Sequence, residues 1–309
     1  MVNGEFKDIL DDSERALIIG IGGGGDVLGA LPTRRLLKSK GIDCKLGSLT
    51  YERSQFDPNP GPRCLSEIRN IRQVNEAVAL ASEETRTYYG LEFQASKMSR
   101  YLGEEIFIID INRGVEGVSL GLKEVCERYN IDLLVGVDVG GDVIADGSEK
   151  GLRSPLTDSM MLSALHKIGV KSMIGVFGIC CDGELRLDEV SGRLAKIYSE
   201  DGFLDCQALS VEDLDVMKNA LKFVNTEASM LPLLAAEGKT GDMMIRGGSR
   251  RVELSFFSIF TYYLKTDVVF RMSRMAQAVY GSRSFQEAHN SLSGLGITTE
   301  YSLQLQRKL

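Results

Sequence analysis

The segment Gly20-Ile21-Gly22-Gly23-Gly24-Gly25-Asp26-Val27-Leu28 aligns without a gap with Gly136-Val137-Asp138-Val139-Gly140-Gly141-Asp142-Val143-Ile144. Each reads as the end of an apolar strand, then Gly-Gly-Asp, then a β-branched and an aliphatic residue that open a helix. Glycines at such a turn take positive φ and let a ligand approach the backbone with no Cβ in the way. The first N–H groups of the following helix are unpaired and lie at the positive end of its dipole, which suits an anion. The spacing therefore predicts an anion cradle made of Gly22, Gly23, Gly24 and Gly25 on one side and Gly140 and Gly141 on the other. The aspartates bring different chemistry. Asp26 and Asp142 either cap the helix starts, a role that stabilises by about 0.5–2 kcal/mol, or face the ligand. Asp138, Asp142 and Asp146 fall in one loop, where carboxylates repel unless a cation, an arginine or the ligand compensates them. Oxygen-rich clusters of that kind suit Mg²⁺ or Ca²⁺.

Further candidates lie at two other strand ends. Cys180-Cys181-Asp182-Gly183-Glu184 offers Asp182 and Glu184 as an acid and a base, provided their surroundings separate their pKa values. Asp110-Ile111-Asn112-Arg113 offers Arg113, whose fork binds a carboxylate or phosphate or else pairs with Asp110. Ser154 and Pro155 read as the N-cap and first residue of a helix, with Asp158 in its first turn; Ser154 also borders the second Gly-Gly-Asp loop. The two histidines, His166 and His289, fall inside helical segments, so a histidine triad or histidine-rich metal site is not expected. Cys181 sits beside an acid, which raises a thiol pKa, and reads as inert.

These residues need a scaffold that brings strand ends together. Nearly continuous apolar runs at Ala16–Ile21, Cys44–Thr50, Ile106–Ile111, Asp132–Asp138 and Ser172–Gly178 alternate with helix-period segments at Val27–Lys40, Leu120–Tyr129 and Thr157–Ile168. That alternation predicts an α/β fold, a doubly wound and mostly parallel Rossmann-like sheet. In the usual order the first and fourth of these strands are neighbours at the switch point, so the two loops face one crevice. A long insertion follows the second strand and begins with Asp57-Pro58-Asn59-Pro60-Gly61-Pro62. Beyond residue 200 the pattern changes. Val211–Val224, Met272–Tyr280 and Phe285–Leu292 read as helices, and Val252–Phe260 and Asp267–Phe270 as strands or buried segments. The expectation is one domain over residues 1–309, with a core over 1–200 and a C-terminal α+β extension over 201–309 packed on it.

Composition narrows the function. The 309 residues carry 36 basic and 43 acidic side chains, a net charge of −7, with 43 % hydrophobic residues. No basic cluster suggests nucleic acid as a partner, no apolar run suggests a membrane span, and a small ligand is expected instead. Six cysteines without zinc-type spacing, and a polar start over Met1–Arg15, point to a reducing, cytoplasmic setting. The run Phe256, Phe257, Phe260, Tyr262 and Tyr263 reads as core or as the interface of a homo-oligomer. Gly20, Gly22 and Gly25 fit GxGxxG, but Asp26 would crowd a pyrophosphate, which disfavours a dehydrogenase. A P-loop is missing.

With these motifs assembled, the sequence resembles an uncharacterised, mainly archaeal family catalogued as a domain of unknown function. The matching stretches are Gly22–Asp26, Asp57–Pro62, Val137–Glu149, Ser154–Asp158, Gly178–Glu184 and Gly296-Ile297-Thr298-Thr299-Glu300, so the resemblance spans most of the chain. It implies a Rossmann-like α/β fold and no established reaction; Tyr51 stands where tryptophan is expected before the Asp-Pro loop. Asp138–Asp142 is also similar to a loop of D-glutamate cyclases. The leading expectation is an enzyme that binds an anionic small molecule, a nucleotide or sugar phosphate, between the two loops with Mg²⁺ assistance. Backbone N–H groups would hold the anion, Asp26, Asp138 and Asp142 the cation or ligand hydroxyls, and Asp182 or Glu184 would move a proton. A metabolite sensor without turnover, and a lyase or cyclase acting on an amino-acid-like substrate, are the competing readings.

Overall fold

The strands form because β-branched and aliphatic residues run without interruption through segments too short for helices. In β6, Leu133–Val139, all seven residues are buried, as both faces of a central parallel strand must be. The computed structural model describes residues 4–308. From the start the chain runs α1 (Gly4–Asp11), β1 (Arg15–Gly20), α2 (Leu31–Ser39) and β2 (Asp43–Leu49), then β3 (Ile68–Gln73), β4 (Val78–Thr87), α3 (Gln94–Leu102) and β5 (Ile106–Ile109). Next come α4 (Gly114–Tyr129), β6, α5 (Pro155–Ile168), β7 (Ser172–Phe177), α6 (Leu187–Ser199), β8 (Phe203–Ala208) and α7 (Val211–Ala220). The last part holds α8 (Leu231–Ala236), β9 (Gly241–Ile245), β10 (Arg250–Leu254), β11 (Phe260–Lys265), α9 (Thr266–Met272), α10 (Arg274–Val279), α11 (Phe285–Gly294) and α12 (Glu300–Lys308).

Nine strands make one sheet in the order β3-β4-β5-β2-β1-β6-β7-β11-β8. The central run β5-β2-β1-β6-β7 is parallel throughout, and its order is that of a Rossmann core, with the switch point between β1 and β6. Antiparallel strands extend both edges. The insertion after β2 supplies β3, β4 and α3 at one outer edge, so it leaves β1 and β6 adjacent. At the other edge β8 and β11 join the sheet itself, which therefore continues past residue 200. Helices α4, α5, α10 and α11 cover one face, around Val115, Leu156, Met275 and Phe285. Helices α1, α2, α3 and α7 cover the other, around Phe6, Leu37, Met98 and Met217. Among the described residues, no helix is long and apolar enough to cross a membrane.

Several elements differ from their sequence reading: Val252–Phe260 is strand only to Leu254 and then a 3₁₀ turn with Phe256 and Phe257 exposed, and Met272–Tyr280 is broken at Ser273, which caps α10. Asp267–Phe270 lies in helix α9 and not in a strand; four residues are too few for period to separate the two states. The helix expected at Val27–Lys40 starts as a 3₁₀ turn over Gly24–Val27 and becomes α-helical only at Leu31, with Pro32 in its first turn.

Candidate functional site

The carboxyl ends of β1, β2 and β6, with the segment after β7, surround a cavity of about 320 Å³. Gly22–Gly25 and Asp26 come from the first Gly-Gly-Asp loop, Asp138 and Asp142 from the second, and Asp182 from the segment after β7. Asp158 lies in the first turn of α5, while Glu52 and Arg53 follow β2. The C-terminal helix adds Glu300 and Gln304, and the β9–β10 hairpin adds Arg246 and Arg250.

The carboxyl groups fall into two triads. Ligand atoms of Asp26, Asp138 and Asp158 lie within 4.8 Å of one another, and so do those of Asp142, Asp182 and Glu184. In the first triad, Asp26 Oδ2 accepts from Gly22 N–H at 3.0 Å and from Val139 N–H at 3.3 Å, tying the β1 loop to the end of β6. Asp138 Oδ2 accepts from Gly141 N–H and Val143 N–H, both at 3.1 Å. Asp158, 1 % exposed, has no hydrogen-bond donor at Oδ1. Burial pushes the Asp26 carboxyl up to about 7. Burial, reinforced by the neighbouring carboxylates, pushes Asp138 and Asp158 well above the ordinary range.

The second triad is divided. Glu184 accepts from the N–H groups of Arg153 and Ser154, from Ser154 Oγ and from Arg250. Burial alone would raise its pKa, but the Arg250 guanidinium and Ser154 hydroxyl outweigh it and hold the group below its usual value. Asp142, 4 % exposed, accepts from Ser154 Oγ at 3.3 Å on Oδ2, has no donor on Oδ1, and is close enough to share a proton with Glu184 and Asp182. Burial first, then Glu184 and Asp182, push it well up; burial and Glu184 raise Asp182 as well. Glu184 is thus an ionised anchor, while Asp142 and Asp182 are adjacent carboxyls that hold protons readily.

Several expectations need correction. The backbone N–H groups expected to cradle an anion are largely taken up inside the loops: Gly22, Val139, Gly141 and Val143 donate to Asp26 or Asp138, Gly24 donates to Tyr51 O, and Gly140 to Phe177 O. Gly140 and Gly141 do not line the cavity. At Gly140 (φ 129°) a Cβ would run into the Asp182 carboxyl, so this glycine serves the close approach of a protein group and not of a ligand. Asp146 leaves the acidic cluster, because the chain extends at Ala145 after the 3₁₀ turn at Asp142–Ile144. Its carboxylate accepts from Ser148 N–H at 2.9 Å and pairs with Arg193 at 3.5 Å. Arg113 pairs with Glu76 at 2.6 Å, with its side chain 52 % exposed and outside the cavity. Asp110 accepts instead from the N–H groups of Leu65 and Asn112. Ser154 makes no capping bond; Glu300 from α12 accepts from Leu156 N–H at 3.1 Å and Thr157 N–H at 2.8 Å and closes the start of α5 in its place. Cys180 and Cys181 are buried, and burial raises both thiols, Cys180 to about 12.

Sequence reasoning missed Glu52, Arg53, Arg246 and Arg250, and read Asp158 only as a helix-start residue and Glu300 only as part of a family-like stretch. Glu52 is 2 % exposed, accepts from Gln94 N–H at 2.7 Å, and is pushed by burial up to about 7. Its signal was a charged pair, Glu52-Arg53, just past a buried strand at the sheet edge where such folds keep their sites. The hairpin signal was Arg246-Gly247-Gly248-Ser249 between two short β-prone runs.

Fold and cavity together define a Rossmann-like α/β protein with an acid-rich site at its switch point. The chain belongs to the DUF1152 family, described as a protein of unknown function, whose model matches residues 17–308. No curated protein matches it.

Proposed function

We propose that the protein is an enzyme acting on an anionic small molecule, of the nucleotide or sugar phosphate class, with a divalent cation of the Mg²⁺ type held by Asp26, Asp138 and Asp158. The observation that carries this reading is Asp158: a buried carboxylate oxygen with no donor, close to two other carboxylates whose hydrogen bonds run to Oδ2. Such a group is costly unless protonated or met by a cation, and three carboxylates are a hard oxygen donor set. Asp142 and Asp182 then serve as proton carriers beside the ligand, since burial and the neighbouring Glu184 carboxylate favour the protonated form of each. Glu184, fixed by Arg250 and Ser154, positions that pair.

Mn²⁺ as a paramagnetic probe, titrated into the full chain at pH 7.5, tests the cation. Wild type should bind, and Asp158→Asn should weaken binding by about tenfold or more. Affinity should rise with pH through 7, because the cation displaces protons from the triad. Mass spectrometry of a nucleotide and sugar phosphate panel then separates turnover from a sensor, which returns its ligand unchanged. A second reading is favoured by the polarity of the cavity, acidic at one wall and arginine-lined at the other, which also suits the ammonium and carboxylate of an amino acid. A product lighter by one water from an acidic amino acid would select it.

A further inference from the structure

We propose that Arg53 together with Arg246 and Arg250 of the β9–β10 hairpin forms the phosphoryl subsite of this cavity, so that the hairpin, and not the glycine loops, selects phosphorylated ligands. This rests on the reading above that the substrate is an anionic small molecule.

The hairpin is built separately from the main sheet. β9 and β10 pair only with each other and are fastened by Ile245, Val252 and Leu254 against Leu231 and Ala235 of α8 and against Cys181. Its turn carries three successive residues at positive φ: Arg246 at 55°, Gly247 at 65° and Gly248 at 86°. Glycine is relaxed there, but arginine is not, and such backbone is retained where surrounding structure enforces it. Here the enforcement is Glu227, whose two carboxylate oxygens both accept from Arg246 N–H at 3.1 Å. The result is a guanidinium that lines the cavity and whose Nε is buried without an acceptor.

Charge points the same way. Arg246 Nη1 lies 3.9 Å from Glu184, to which Arg250 also pairs, and Arg53 lies 3.8 Å from Glu227. Three guanidiniums therefore share two carboxylates. Burial, reinforced by mutual repulsion, lowers Arg53 to about 10 and lowers Arg246 as well. A carboxylate is saturated by one bidentate fork, whereas a phosphoryl group brings three terminal oxygens and nearly two charges, and so satisfies several guanidiniums from separate elements. With most loop N–H groups already paired, the arginines are the cavity's principal remaining anion donors.

The test is isothermal titration of inorganic phosphate into the cation-free full chain in a chloride buffer, with Mn²⁺ binding measured in parallel. Wild type should bind phosphate. Arg246→Gly should weaken binding by about tenfold or more while retaining or gaining thermal stability, because glycine relaxes the turn. Arg53→Gln, which changes no residue of the hairpin and leaves Glu227 to hold Arg246 N–H, should weaken phosphate binding similarly, and neither variant should weaken Mn²⁺ binding, since each removes a positive charge. Absence of phosphate binding in wild type, binding unchanged in both variants, or binding of malonate in place of phosphate would overturn the subsite. Phosphate binding without Mn²⁺ binding would sink the cation reading and leave the subsite standing; Mn²⁺ binding without phosphate binding would do the reverse.

Discussion

The two Gly-Gly-Asp loops have matching spelling and opposite wiring. In the first, Asp26 ties the turn by accepting from Gly22 and from Val139 on the neighbouring strand. In the second, the corresponding residue, Asp142, is left with an oxygen that no donor reaches, and the tying is done by Asp138, which stands where the first loop has Gly22. The exchange is steric. A Cβ at Gly22 would lie 2.6 Å from Asp26 Oδ2 and 3.1 Å from Asp158 Oδ1, so the first loop cannot carry the side chain that its twin uses. One repeated loop therefore yields an aspartate that ties its own turn on one side of the switch point and one left with an unpaired oxygen on the other.

The largest expected effect separates those roles. Asp26→Ala leaves two N–H groups without their acceptor and should cost about 2–3 kcal/mol in urea unfolding. Asp142→Ala should change stability by less than about 1 kcal/mol, since the weak bond lost is offset by relief of repulsion. Equal costs would show that the loops are equivalent after all. Next, Gly22→Ala should destabilise by about 1–2 kcal/mol through overpacking against Asp26, visible as a lower Tm.

A pH series sharpens the comparison. Asp26, Glu52 and Glu300 are raised from ordinary carboxyl values to about 7 in the folded protein, so between about pH 4 and 7 the folded state holds more protons than the unfolded one. Stability from these groups is complete at the acid end and falls as pH rises through that window. Melting of cation-free protein across it should show the decline, and Mg²⁺ at neutral pH should reverse part of it. The smallest effect belongs to Arg113→Ala, which removes a surface pair with Glu76 and should shift stability by no more than about 0.5 kcal/mol, with phosphate affinity unchanged.

What could be read from the sequence follows distance along the chain. The five core strands were visible because each is a self-contained apolar run, and the adjacency of β1 and β6 follows from the usual winding of such runs. The glycine repeat marked the right sheet edge. The partners of Asp26, Asp142 and Glu184 were not visible, because they depend on which backbone donors remain after the loops fold onto each other. Arg113 and Arg250 show the same limit from the other side. Both are arginines near carboxylates in sequence or space, yet only a hairpin far down the chain delivers its charge to Glu184.

The closing helix has a consequence for how this protein matures. Gln304 Oε1 accepts from Tyr51 Oη at 2.9 Å and from Gly61 N–H at 2.8 Å, the first contact spanning 253 positions, while Glu300 holds the start of α5. The central strands have all emerged from the ribosome well before either residue, so a nascent chain presents its sheet first and its acidic cavity open. The proposed site is therefore complete only once α12 has docked, because Glu300 and Gln304 reach back to elements made 143 to 253 positions earlier.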